Sequence, residues 1–174
     1  MGLPPSSAAA GRRAVVGLGA LAVSDDPQTI LSTYALGSCV GVVAYDPGLH
    51  VGGILHLMLP DSGLAPARAA AQPALFADTG LRQFFRQLAR LGASPARLLL
   101  FVAGGANLAG DRDRYRIGER NRQATLDLLG AGRYRIAGSD LGGTNDRTLH
   151  LALAQGVLSL KTPRRQRLFR FPAG

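Results

Sequence analysis

Apolar positions in this chain gather in short runs, each closed by glycine, proline or an acidic residue. The run "AVVGLGALAV" from Ala14 to Val23 reads as a first strand, and "DDPQT" turns the chain towards "ILSTYAL". Two further strand-like runs follow, "CVGVVAY" and "VGGILHLML", separated by the turn-forming "DPGLH". "PDSGLAPARAAAQPA" reads as a long loop. Leu75, Leu81, Phe84, Phe85, Leu88 and Leu91 then recur at helical spacing, which predicts a helix over residues 74–91. "ARLLLFVAGG" is a buried strand ending in a glycine turn, and "RDRYR" is a charged loop. A second helix is predicted over 118–129, stopped by Gly130 and Gly132. "YRIAGSD", "RTLHLAL" and "VLSLK" read as closing strands. The pattern predicts one strand-rich α/β domain with two main helices, without repeats or a dividing linker.

Composition changes this picture at the two ends. With 174 residues, 47% of them hydrophobic, the chain can bury about 70% of its unfolded surface. "MGLPPSSAAAG" is rich in Pro, Ser and Ala, so residues 1–12 are expected to form a disordered leader before a domain over 13–160. "GRRAVVGLGALAV" puts an arginine pair before an apolar run, as export signals do. That run has ten residues, too few to span a bilayer, and no small-residue cleavage site follows it. The net charge is +9, carried almost wholly by arginine, since Lys161 is the sole lysine. Residues 161–174, "KTPRRQRLFRFPAG", hold five cations and no acid, and read as a solvated basic tail. A nucleic-acid-binding domain would rest on this charge alone, and no nucleic-acid partner is expected.

Cys39 is the single cysteine, which excludes an intrachain disulfide and a multi-cysteine zinc site and fits a reducing compartment. Neither an H-E-x-x-H motif nor a spaced Cys/His cluster occurs, so no metal or cofactor is expected. If the two central runs form a hairpin with a two-residue loop at Pro47-Gly48, Tyr45 stands opposite His50 and Cys39 opposite His56. A four-residue loop over Asp46–Leu49 keeps that pairing. Opposed residues have Cβ atoms roughly 4.5–5.5 Å apart, close enough for a thiol and an imidazole to interact. An odd loop would put the two on opposite faces. On pattern alone Cys39 is either a small core hydrophobe or a nucleophile with His56 as its base. Thr33, Ser32 and Ser38 are all candidates to orient the imidazole, and Gly37 permits a turn that offers backbone N–H donors. "GLGALA" fits a dinucleotide fingerprint formally, yet no long helix follows, and it reads as strand. "GGAN", ending at Asn107, is either an anion-binding or a structural turn. His50 and His150 read as structural, and Glu119 and Asn121 as helix-capping or solvated positions.

The ordered series "LGSC", "GGILHLMLP", "FADTGLRQFFRQLARLGA", "FVAGGANL", "IGERN" and "SDLGG" resembles the chemoreceptor glutamine deamidase family, CheD, over about Val15 to Leu160. The resemblance implies an α/β sandwich with mixed β-sheet layers, similar to toxin-type cysteine deamidases. It implies a cytoplasmic enzyme that hydrolyses receptor glutamine side chains to glutamate and ammonia through a cysteine thioester. Cys39 would then be the nucleophile, His56 the general base and acid, and Thr33 its orienting partner. Ser38, Gly37, Asn107, Glu119 and Asn121 would contribute to the substrate or oxyanion site. Expected partners are the cytoplasmic helices of chemoreceptors and a chemotaxis phosphatase of the CheC type. The alternative is a regulatory module that binds such a phosphatase with little catalysis. The chain departs from the family at "GGTNDRTL", where a glycine commonly precedes the residue matching Arg147.

Overall fold

The computed structural model describes residues 12–108, 110 and 114–173. Residues 1–11 of the expected leader and part of the "RDRYR" loop therefore lie outside the described residues, and Arg12, expected in the leader, opens the first strand. The first apolar run is two strands rather than one. β1 (Arg12–Val15) and β2 (Ala20–Ser24) are broken apart at Gly17-Leu18-Gly19, where Gly19 takes a φ of +65°. β1 pairs in parallel with β3 (Thr29–Thr33), whereas β2 pairs antiparallel with β5 (Val51–Leu57) in a different sheet. The glycine break thus lets one short segment join two layers.

The remaining elements are β4 (Val40–Asp46), α1 (Pro66–Ala71), α2 (Ala77–Arg90), β6 (Leu99–Gly104), α3 (Ile117–Ala131), β7 (Arg135–Leu141), β8 (Thr148–Ala152), β9 (Val157–Lys161) and β10 (Gln166–Arg170). One sheet has the order β1-β3-β8-β9-β10 and the other β2-β5-β4-β6-β7, each mixed parallel and antiparallel. Helices α2 and α3 cover the outer face of the second sheet. Ala77, Leu81, Phe84 and Leu88 of α2 bury a stripe against Val42, Leu55 and Leu100. Between the two sheets lies a second core of Leu31, Val43, Ile54, Phe101, Leu149 and Leu158. The α/β sandwich expected from the sequence is the fold observed. β4 and β5, buried on both faces, are its centre.

Three local expectations are corrected. The segment read as a loop after Pro60 contains α1. Helix α2 begins at Ala77 rather than at 74, because Pro73–Leu75 forms a 3₁₀ turn whose Leu75 carbonyl accepts the N–H groups of Met58 and Leu59. The basic segment 161–174 is not a solvated tail: β10 pairs antiparallel with β9, and Phe169 and Phe171 turn inward. Phe171 is only 4% exposed, and the Phe169 ring lies 4.9 Å from that of Phe101.

Candidate active site

The β4–β5 hairpin sets the positions of the two reactive side chains. Asp46 pairs with Val51, so the loop is Pro47–His50, two residues displaced from the expected register. Gly41 therefore stands opposite His56, and Cys39, one residue before β4, is diagonal to it rather than directly opposite. A slip of two keeps both on one face of the sheet, whereas a slip of one would have separated them. That face is the inter-sheet side, where Cys39 packs against the second core. Asp46 fixes the turn: its carboxylate accepts from the N–H of Gly48 at 3.0 Å and from Arg97 Nε at 3.0–3.1 Å. Burial alone would raise its pKa, but Arg97 and the N–H groups of Ser94 and Gly48 outweigh that and hold it below the usual carboxylate value.

Thr33 arrives from the other sheet. It shares the inward face of β3 with Leu31, while Ser32 faces the opposite way and lies 2.8 Å from His150 Nδ1. Thr33 Oγ1 is 2.7 Å from the Val16 carbonyl oxygen and 2.9 Å from His56 Nδ1. A hydroxyl has one proton, and it must lie towards the carbonyl, which can only accept. Thr33 therefore accepts from Nδ1–H, and the lone pair of His56 is on Nε2. That atom is buried and has no hydrogen-bond partner among the described residues. Of the three hydroxyls weighed from the sequence, the structure brings Thr33 to His56 and takes Ser32 to His150.

Burial governs the charge state of both groups. It lowers the His56 pKa to about 4, since an imidazolium here would lose its hydration. It also raises the Cys39 thiol, an effect larger than the lowering contributed by the residue's own N–H directed at the sulfur. At neutral pH the resting pair is a thiol and a neutral imidazole, not a preformed ion pair.

The turn that follows β6 braces the Cys39 turn. Gly105 N–H donates to the Cys39 carbonyl at 2.7 Å, and Ala106 N–H donates to the Gly37 carbonyl at 2.8 Å. The "GGAN" turn is thus structural, with these donors already engaged. Gly104 has a φ of +108°, and a Cβ there would sit 2.2 Å from the Cys39 carbonyl oxygen. Gly37 donates its own N–H to the Ala35 carbonyl, and it is Ala35, with φ +55°, that takes the left-handed conformation. At Gly37 itself a Cβ would meet only the tip of the exposed Leu108 side chain.

Asn121 on α3 is fully buried and donates through Nδ2 to the Ser38 carbonyl at 3.0 Å and the Met58 carbonyl at 2.7 Å. It ties the residue before the nucleophile to the strand end beyond His56. Asn107 and Glu119 are placed differently. Asn107 is exposed and its amide donates to the Gly110 carbonyl, and exposed Glu119 pairs with Arg116. Sequence reasoning missed the carbonyls of Val16, Ser38 and Met58, which no residue type advertises. Arg147, left open by the departure at "GGTNDRTL", is 5% exposed and donates to Asp140, Gly142 and Asn145. Among the described residues no group of three or more His, Cys, Asp or Glu side chains is placed to hold a metal ion.

Residues 58–162 match the family model described as CheD chemotactic sensory transduction. A Solibacter usitatus protein named "Probable chemoreceptor glutamine deamidase CheD" is 40% identical over 153 residues, covering 88% of this chain and 90% of its own. This chain belongs to the CheD family. A second relative, CheD 2 of Anaeromyxobacter dehalogenans, is 40% identical over 84% of this chain and 92% of its own. The Symbiobacterium thermophilum CheD is 41% identical, covering 87% and 93%. Both carry the same deamidase name. Neisseria meningitidis protein NMB0706 superposes with a TM-score of 0.42 at 11% identity, over 76% of this chain and 63% of that one, too distant to carry an inference.

Proposed function

We propose that this CheD-family chain is a cysteine amidohydrolase that converts glutamine side chains of chemoreceptors to glutamate and ammonia. The observation that carries the reading is the Val16–Thr33–His56 relay, which leaves a buried, unpartnered Nε2 lone pair on the face that holds Cys39. The names of the relatives and their near-complete overlap support the substrate assignment.

In the proposed reaction His56 Nε2 takes the thiol proton as the sulfur attacks the amide carbon. The developing oxyanion is met by the N–H of Cys39, which turns to it from the sulfur, while the Gly37, Gly105 and Ala106 donors stay engaged. The carbon–nitrogen bond breaks as His56 returns the proton to the departing ammonia, leaving a thioester. Water, deprotonated by His56, attacks the thioester, and the carbon–sulfur bond breaks to release the carboxylic acid and restore the thiol. Glutamate methyl esters at the same sites would pass through the same thioester. A chemotaxis phosphatase of the CheC type is proposed as partner and the cytoplasm as the compartment. Among the described residues no helix is long and apolar enough to cross a membrane.

The test is the intact mass of a receptor cytoplasmic fragment after incubation with wild type and with Cys39→Ala. A gain of about 1 Da per site that requires Cys39 is expected, because an amide becomes an acid. No mass change across a panel of receptors, with phosphatase binding retained, would assign the chain to a regulatory module instead.

A further inference from the structure

A cavity of about 730 Å³ is lined by Arg147, Arg164, Arg165 and Arg167 against a single acid, Asp140. Asp140 is already saturated. Its carboxylate accepts from Arg147 Nη2 at 2.8 Å and from Arg167, and Arg165 approaches to 3.7 Å. Arg147 is fully engaged too, with further donations to Gly142 and Asn145 carbonyls at 2.7 and 2.6 Å. The cavity therefore keeps a cationic excess on its outer wall, carried by Arg164, Arg165 and Arg167. Arg164 has no ion pair among the described residues, and the side chains of Arg165 and Arg167 are 59% and 49% exposed. The turn between β9 and β10 carries Arg164 and Arg165, and Arg167 follows on β10: Thr162 N–H donates to the Arg165 carbonyl at 2.8 Å and closes the turn.

The far wall, loop 142–147, is hydrogen-bonded to the turns that flank Cys39. Leu36 and Arg147 exchange backbone hydrogen bonds of 3.0 and 3.2 Å, three residues before Cys39. Asn107 N–H donates to the Gly143 carbonyl and Gly142 N–H to the Gly104 carbonyl, both at 2.9 Å. One loop, 142–147, thus holds the bracing turn of the nucleophile on one side and lines the cavity on the other.

We propose that this cavity is a docking subsite for acidic side chains that flank the glutamine in the protein substrate, an inference that rests on the deamidase reading above. Guanidinium groups read carboxylates by charge and by paired N–H donors. The cavity is wide, its spare cations are exposed, and its one buried arginine is spent internally. That arrangement suits several carboxylates carried on a segment, rather than one small anion, which would need converging buried donors. Charge of this kind acts mainly on encounter and orientation. The substrate's acidic flank is held at Arg164 and Arg165 while the glutamine reaches Cys39.

The test compares two fluorescein-labelled peptides with one central glutamine, one flanked by glutamates and one by serines. Binding to the Cys39→Ala protein is followed by polarisation, and turnover by wild type is followed by mass. The acidic peptide is expected to bind about tenfold more tightly at low salt, and to lose that advantage at high salt or in Arg164→Glu/Arg165→Glu. In the turnover arm the same variant should raise KM for the acidic peptide about tenfold while leaving kcat for the serine-flanked peptide unchanged. Equal binding of both peptides by the Cys39→Ala protein would overturn the subsite, as would an acidic preference that survives the double variant. A single-stranded RNA that outcompetes the acidic peptide through the same arginines would also overturn it. If the acidic preference is found while neither peptide is ever deamidated, the subsite stands and the deamidase reading fails.

Discussion

Thr33 accepts a hydrogen bond from His56 Nδ1 because its own proton is held by the Val16 carbonyl, so a strand of one sheet fixes the tautomer of a histidine on the other. Thr33→Val removes that acceptor and leaves Nδ1–H and a buried carbonyl without their partner. Thr33→Val should lower kcat by about 10²–10⁴-fold with little change in KM, as expected when a catalytic histidine loses the group that orients it. Thr33→Ser keeps the hydroxyl and should retain most of the activity. Receptor-fragment turnover by mass measures both, and equal rates for wild type and Thr33→Val would remove the relay from the mechanism.

The depressed pKa of His56 makes stability depend on pH in a defined window. Between about 6.5 and about 4 the unfolded chain takes up a proton that the folded chain refuses. Stability therefore falls as pH falls from about 6.5, and the loss levels off below about 4, where the folded form binds the proton too. The full loss is about 3 kcal/mol from a shift of that size. His56→Gln should flatten this part of the profile, as read from urea midpoints between pH 7 and 4. On the kinetic side, kcat/KM should show no acid limb near 6.5, since His56 stays neutral down to about pH 4. The raised thiol of Cys39 should extend the rise in rate at alkaline pH.

The Cys39–His56 relationship was legible because a strand hairpin has only two parities. The pairing was placed wrongly by two residues, and an even error leaves both side chains on the inter-sheet face. The choice of Thr33 over Ser32 was also available in the sequence. Leu31 is apolar and inward, so Thr33 shares its face and Ser32 does not. β10 is masked in the sequence by five cations, which make the segment read as solvated, although in "LFRF" Phe169 and Phe171 alternate with charge as in an edge strand. The bracing carbonyls and the split of the first strand were not legible. Both depend on which sheet a segment joins, and that choice rests on contacts distant in sequence.

Asn121 joins the nucleophile turn to the strand of the base with one side-chain amide, through Ser38 and Met58. Asn121→Ala should free the turn without removing any reacting group. Turnover should then fall by about tenfold or more through misplacement of the thiol, with KM little altered. The same release should let solvent reach Cys39 and ease the burial that raises its pKa. Alkylation by iodoacetamide should therefore become faster while deamidation becomes slower. A loss of both rates together would indicate general unfolding, which circular dichroism would register.

Gly104 is the position where the backbone itself approaches the nucleophile turn. Its φ of +108° is strained for any side chain, and a Cβ would lie 2.2 Å from the Cys39 carbonyl oxygen. Gly104→Ala must push the turn away or break the neighbouring Gly105 N–H bond to that carbonyl at 2.7 Å. The expected cost is about 1–3 kcal/mol of stability, together with a fall in kcat larger than that of any Asn121 variant. Gly110→Ala is the control, since it shares a positive φ but its Cβ would meet no atom of the described residues within 4 Å. Backbone strain alone would give the two variants similar thermal shifts and equal activity. Only contact with the Cys39 carbonyl would separate them, with activity lost in Gly104→Ala and kept in Gly110→Ala.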